Sequence, residues 1–306
     1  MKRYNKFVFE AEEGINFEFS EGANGELFIK VVNRVDTEIG DENVQTKNYK
    51  NPIIPKGYKY ICGEWNNGFV IERYLDGSQF VWVPVGSLRA NGTLDGNSFN
   101  RKFGRRNYLG EKFSELEYHE DMELELELQY ESIQKYGGFY ISRYNISCNK
   151  IGMTQSIKGA MPRINISFSL AKRLANSVEN NNEVKSHLPY GAEYDSILEW
   201  LIESKARTKN EIIVDSTEWG NYWNSKKTRK IIEKTGKDIK WSINNIFDLA
   251  GNVSEWTQEK KGDQVYVVRG GSYEKYGDIK PVSSRSYVDD VDNAFYSGFR
   301  AALYIK

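Results

Sequence analysis

Asp248 and Glu255 are the two residues of this chain whose spacing most suggests metal chemistry. They stand seven residues apart in NNIFDLAGNVSEWTQE (244–259), on either side of an Ala-Gly-Asn turn. A loop that folds back on itself can aim both carboxylates, and the main-chain carbonyls between them, at one hard cation. Calcium takes six to eight oxygens at about 2.3–2.6 Å and tolerates irregular geometry. The same spacing suits carboxylates that merely accept backbone N–H bonds and stabilise the turn. On spacing alone that second reading is preferred.

A second stretch, RGGSYEKYGDIK (269–280), follows the β-rich run VYVVR. Gly270 and Gly271 are read as positions of positive φ or close backbone approach. They do not mark a phosphate loop, because no Lys-Ser/Thr pair or helix follows. The turn presents Tyr273, Lys275, Tyr276 and Lys280, side chains able to perform chemistry or to make contacts. Arg269, Arg285 and Arg300 stand in VVRGG, SSR and GFR. They are expected to be buried, tying closing loops to carboxylates or carbonyls.

Other chemistries are poorly supplied. Cys62 and Cys148 form no close-spaced metal or redox motif and are expected as two free, buried thiols. The two histidines, His119 and His187, are too few for a multi-His zinc site and offer little support for a Ser-His-Asp triad. Charge is balanced, with 42 basic and 43 acidic residues and a net charge of −1, so attraction to nucleic acid or anionic lipid is not implied. The basic run SKKTRKIIEKTGKDIK (225–240) lacks interleaved aromatics and reads as a solvated surface. No segment has the length and apolarity of a signal peptide or membrane span, so a soluble, cytosolically made chain is expected. Such a chain could still end on a virion or particle surface.

The elements that must position these residues emerge from periodicity. At 306 residues the chain can bury a sizeable core. Aromatics reach 14%, and their rigid area serves a loop-rich core or a contact surface. Residues 1–45 alternate apolar and polar groups, which predicts short antiparallel strands in a β-rich extension or attachment segment. GYKYICGEW and GFVIERY predict a hairpin, QFVWVPVGSL (79–88) an apolar strand, and GFYISRYNIS (138–147) a buried strand. Residues 122–135 predict a helix stopped by Gly137 and Gly138, although ELELELQY also alternates as a strand would. SFSLAKRLANSVEN (167–180) predicts a helix capped by Ser167, with Leu170, Leu174, Ala175 and Val178 on one face. LPYGAEYDSILEWLIESK (188–205) predicts another, with Ile197, Leu198, Leu201 and Ile202 inward. The domain reading is residues 1–45 as the extension and 46–306 as the main domain, with an insertion at about 89–137.

The segment 244–259 resembles the signature of the formylglycine-generating enzyme, or sulfatase-modifying factor, family. Further pieces follow in that family's order. FVWVPVG resembles its opening strand, GGFYISRYNIS its second strand, and INISFSLAKRLAN its VSW-helix segment. LPYGAEYDSILEW is similar to its LPTEAEWE helix, and VVRGGSY, SSRSY and SGFRAAL to its closing pattern. The resemblance covers about residues 79–306, with gaps at 89–137 and 206–240. It implies an α+β, C-type-lectin-like fold, loop-rich and built on a mixed sheet with two helices. It also implies a structural calcium held by the side chains of Asp248 and Glu255 and the carbonyls of Gly251 and Val253. A second calcium would begin at Asn221 and the Tyr222 carbonyl, with Asp238 as the nearest match to its later aspartate.

The departure from the family lies in the glycine turn. Catalytic members carry two cysteines just after RGGSY, which bind copper as thiolates and oxidise a substrate cysteine with oxygen. Here the matching positions hold Lys275 and, less securely, Lys280; a protonated ammonium cannot ligate copper, so no copper is expected. Iron-dependent relatives need a histidine cluster that two scattered histidines do not provide. Variable proteins of diversity-generating retroelements use the same fold and display residues between RGGSW and GFR. The corresponding surface here, 272–298, offers Tyr273, Lys275, Tyr276, Tyr287, Asp289, Asp290, Asn293 and Tyr296 as contact residues. The expectation is a non-catalytic, lectin-like protein that displays this surface to a protein or glycan ligand, with no role in binding nucleic acid or inserting into membranes. A phage or phage-like particle is one setting. The alternatives are an oxidase acting on a sulfatase cysteine and a purely structural particle protein.

Overall fold

QFVWVP alternates two kinds of inward residue, and this alternation builds the centre of the molecule. Val81 and Val83 face one apolar cluster, Phe80 and Trp82 another, so the strand is buried on both faces. The structure is a computed structural model that describes residues 16–21, 27–32, 52–88, 94–95, 101, 103–106, 108, 123–225, 230–262, 264–289 and 295–306. It divides into two units, Met1–Lys47 and Asn48–Lys306. In the first, β1 (Asn16–Glu21) pairs antiparallel with β2 (Leu27–Val32).

The second unit contains the strands β3 (Tyr58–Cys62), β4 (Val70–Arg73) and β5 (Gln79–Pro84). The helix α1 (Leu124–Tyr136) leads into β6 (Gly138–Ser142), and α2 (Phe168–Asn176) precedes β7 (Val184–His187) and α3 (Gly191–Glu203). Then come β8 (Ser254–Lys260), β9 (Val265–Arg269), β10 (Arg285–Asp289), β11 (Ser297–Gly298) and β12 (Ala302–Ile305). One antiparallel sheet has the order β7-β12-β6-β5-β4-β3. A second has the order β10-β9-β8-β11, antiparallel except for the parallel β8–β11 pair. The helices α1 and α3 pack with one face of the larger sheet through Leu126, Ile133, Ile197 and Leu198, and α2 with the other through Phe168, Ala171 and Ala175. The result is an α+β fold with long irregular connections.

Several sequence expectations hold and others shift for identifiable reasons. The 58–73 hairpin is present. The ELELELQY segment is helix, closed by Gly137 at φ 80, with Leu126, Gln129 and Ile133 inward at helical spacing. The 79–88 strand stops at Pro84, which has no N–H to donate, and Gly86 then turns at φ 86 before a short Ser87–Leu88 strand. Ser167 does cap α2, its Oγ accepting from Leu170 N at 3.3 Å. The buried face of α2 is Phe168, Ala171 and Ala175, with Leu170 and Leu174 at its margin, because the small alanines let the helix approach the sheet. In α3, Trp200 joins Ile197, Leu198 and Leu201 inside, and Ile202 is only half-buried. Cys62 and Cys148 are free, but half-buried rather than buried. His119 lies outside the described residues.

Candidate functional site

The DLAGN loop makes three departures to left-handed backbone. Asp248, Gly251 and Asn252 have φ of 56, 70 and 58°. A Cβ on Gly251 would stand 2.5 Å from the Asn221 carbonyl oxygen, so the two segments meet backbone to backbone. Asn252 N–H donates to that same carbonyl at 2.8 Å, and Gly251 N–H to the Gly270 carbonyl at 2.8 Å. The loop thus ties the Asn221 segment to the glycine turn.

Its acids are differently placed. Asp248 is fully buried; Oδ2 accepts from Gly236 N at 2.8 Å, whereas Oδ1 makes no hydrogen bond. Burial pushes its carboxyl up to about 7, against the opposing pull of the Gly236 N–H and Arg300. Glu255 Oε1 accepts from Asn145 Nδ2 at 2.7 Å and from Arg300 Nε at 2.8 Å. Burial raises its carboxyl as well, with Arg300 pulling the other way. Asn221 Nδ2 donates to the Ile231 carbonyl and to Asn252 Oδ1, leaving its buried Oδ1 without a donor. The Tyr222 carbonyl accepts from Ser225 N at 3.2 Å, and Asp238 caps a short turn through Lys240 N at 2.9 Å.

Among the described residues, no three His, Cys, Asp or Glu side chains gather as a metal cluster. A cation here would therefore rely on carbonyl and amide oxygens beside at most two carboxylates. The two expected calcium positions each offer one buried side-chain oxygen without a partner, Asp248 Oδ1 and Asn221 Oδ1, which suits an oxygen-ligated ion. Glu255 offers less, since Arg300 already neutralises it.

Arg269 and Arg300 are buried and bonded as the sequence predicts, whereas Arg285 is half-buried, though its guanidinium bonds inward. Arg300 Nη1 donates to the Ser142 and Arg143 carbonyls at 3.0 and 3.1 Å, and Nη2 to the Phe247 carbonyl. Arg269 Nη2 lies 2.6 Å from Asp195 Oδ1, and its Nη1 3.3 Å from Glu259 Oε2. Arg285 meets the other oxygen of each acid at 2.6 Å, so two cations and two carboxylates close a ring. Sequence reading named the arginines but missed Asp195 and Glu259. The signal for Asp195 was present, since it is an acid inside the apolar helix GAEYDSILEW; for Glu259 a bulge between Trp256 and Lys260 breaks the strand alternation that would have placed it.

The glycine turn stands on this base. Gly270 and Gly271 have φ of 89 and 69°. A Cβ on Gly271 would come within 2.5 Å of the Lys280 carbonyl oxygen and 2.7 Å of the Tyr222 ring. The stretch 271–280 therefore closes tightly, helped by Lys275 N to the Ser272 carbonyl at 2.9 Å and Lys280 N to the Tyr276 carbonyl at 2.8 Å. Beside it opens a cavity of about 220 Å³, bounded by Lys275, Lys280, Ser272, Phe295 and Tyr296 over Val268. Tyr273 packs edge-on against Tyr296 with ring centres 5.5 Å apart. Its hydroxyl donates to Glu274 at 3.2 Å; burial and the Glu274 charge push the phenol up to about 12.

Of the expected contact residues, Lys275 and Tyr296 share this cavity, and Tyr273 adjoins it. Tyr276 and Tyr287 are exposed, at 44% and 56%, without lining it; Lys261 Nζ sits 4.3 Å from the Tyr287 ring centre. Asp289 stands on β10 opposite Val265, but its side chain, with Asp290 and Asn293, lies outside the described residues. Composition did not flag the cavity's serines, since serine is common in loops; only pairing of β8, β9, β10 and β11 brings them together.

The profile of the sulfatase-modifying factor enzyme 1-like domain family matches residues 38–305. Similar solved structures include Treponema denticola variable protein 1, at 15% identity and TM-score 0.42, covering 81% of this chain and 99% of that one. PvdO from Pseudomonas aeruginosa has 14% identity and TM-score 0.44, covering 77% of this chain and 97% of that one. CarF has 17% identity and TM-score 0.38, covering 55% of this chain and 87% of that one. A search of curated proteins finds no match. Spanning nearly the whole of the second unit, the family match settles membership: this chain belongs to the sulfatase-modifying factor enzyme 1-like domain family.

Proposed function

We propose that this chain is a binding member of its family, and that its glycine turn presents contact side chains where catalytic members present copper thiolates. The observation that carries the reading is the identity of the residues at that turn. Lys275 and Lys280 border an open cavity whose described lining contains no cysteine. Cys62 is on β3, and Cys148 lies in a short antiparallel pairing opposite Thr154. Burial raises the Cys148 thiol, which opposes formation of a thiolate. Around the turn, Tyr276, Tyr287, Phe295 and Tyr296 are all exposed, giving rigid aromatic area to a protein or glycan partner. Calcium at Asp248, with the carbonyls of Gly251 and Val253, would serve to stiffen the loop beneath, and Asn221 with the Tyr222 carbonyl would hold a second ion.

The test is binding of the full chain to glycan arrays and to candidate protein partners, followed by titration of any specific ligand against a Tyr276→Ala/Tyr287→Ala variant. An affinity loss of about ten-fold or more, with an unchanged melting temperature, is expected for contact tyrosines. Undiminished affinity in the double variant excludes this face as the contact surface.

A further inference from the structure

The cavity beside the glycine turn carries two ammoniums that no acid among the described residues pairs with. Neither Lys275 nor Lys280 makes a side-chain hydrogen bond or ion pair among the described residues. Among the described residues, the nearby acids Glu274 and Asp278 are engaged by other groups. Glu274 accepts from the Tyr273 hydroxyl at 3.2 Å and is also bonded by Tyr296, whose phenol is raised by that contact. Asp278 Oδ1 accepts from Asn224 Nδ2 at 3.2 Å.

The rest of the lining is of two kinds. Ser272 and Ser286 have hydroxyls with no hydrogen bond among the described residues, while Ser254 and Ser297 bond to each other at 2.7 Å. Val268, Phe295 and Tyr296 supply apolar walls, and Phe295 is 67% exposed. At about 220 Å³ the cavity is smaller than the roughly 300–1,000 Å³ of drug-sized sites, so it suits one ring rather than an extended ligand.

We infer that this cavity takes a carboxylated sugar residue, with the carboxylate between the Lys275 and Lys280 ammoniums. The serine hydroxyls would bond the ring hydroxyls, and the aromatic edge would cover the C–H face of the ring. Charge complementarity selects an anion. The uncommitted hydroxyls and the apolar wall favour a polyhydroxylated ring over an acidic protein side chain, which needs only the ammoniums. This inference rests on the binding reading above and narrows its ligand class.

The experiment is ligand-observed NMR on the full chain, with methyl β-D-glucuronide, methyl β-D-glucoside and glutarate as probes. The glucuronide should bind most tightly. Lys275→Gln and Lys280→Gln should each weaken it about two- to five-fold, the range of exposed charge pairs, and added salt should weaken it further. Ser272→Ala should weaken the glucuronide while leaving glutarate unchanged. Equal binding of glucuronide and glucoside, or indifference to both lysine substitutions, overturns the anion site. Glutarate binding as tightly as the glucuronide overturns the sugar and leaves an acidic-peptide pocket. A partner lost in the Tyr276→Ala/Tyr287→Ala variant but untouched by the lysine variants would uphold the binding face and refute this pocket alone.

Discussion

Arg269, the residue directly before the twin glycines, is held by Asp195 of α3, with Nη2 and Oδ1 2.6 Å apart and both side chains fully buried. The glycine turn is therefore anchored to the helix that packs on the main sheet. Its position is set from inside, while Tyr276 on its outer side is exposed.

Removing Asp195 leaves Arg269 and Arg285 facing Glu259 with one carboxylate too few. Breaking a buried pair in this way costs about 3–5 kcal/mol, because a charge is left without compensation. Asp195→Ala is expected to lower unfolding free energy by that order in a urea titration. A loss below about 1 kcal/mol would place the network's contribution at that of a surface pair.

Gly271→Ala and Gly152→Ala separate backbone preference from crowding. Both glycines have positive φ, 69 and 84°, but a Cβ on Gly152 meets nothing within 4 Å, whereas one on Gly271 meets the Lys280 carbonyl at 2.5 Å. Gly152→Ala should cost about 1 kcal/mol and Gly271→Ala clearly more, and only the second should disturb binding. Equal costs would mean that 271–280 yields easily.

The pH dependence of Asp248 follows from the direction of its shift. Its carboxyl is raised from 3.8 to about 7 in the folded chain, so the native state holds this proton more tightly than the unfolded state. Stability from this group is fully present below about pH 4 and is lost as pH rises towards about 7, on the order of 4 kcal/mol at about 1.4 kcal/mol per pH unit. Measured in chelator, the difference in stability between wild type and Asp248→Asn should change across that window and level off above it. A flat difference would show that the carboxyl is solvated.

Calcium should reverse this cost at neutral pH by supplying the missing positive charge. A bound ion at 100 times its Kd stabilises by about 2.7 kcal/mol, so the melting temperature should rise with calcium and fall back with chelator. Asp248→Ala should abolish the rise. If the wild-type melt ignores both calcium and chelator, the loop is held without a metal.

Much of this arrangement was legible in the sequence because it rests on local rules. Alternation in QFVWVP, the Ser167 cap and the glycines at 270 and 271 each have a short-range physical cause, and each is found. Arg269 and Arg300 were readable as buried because each sits in a run of apolar or small residues. Long-range pairing was not readable. Nothing local says that Asp195 and Glu259 share the same two arginines, or that Glu255 is neutralised by Arg300, 45 positions away. The cavity escaped for the same reason, since its walls come from three separate stretches that only strand pairing unites.

The central claim is that the glycine turn makes contacts and performs no oxidation. Its most direct test is incubation of the purified chain with copper, oxygen and a Cys-Thr-Pro-Ser-Arg peptide, with mass spectrometry of the peptide cysteine. The account predicts an unmodified cysteine at every copper level. Conversion of that cysteine to an aldehyde, abolished by Cys62→Ser or Cys148→Ser, would contradict it.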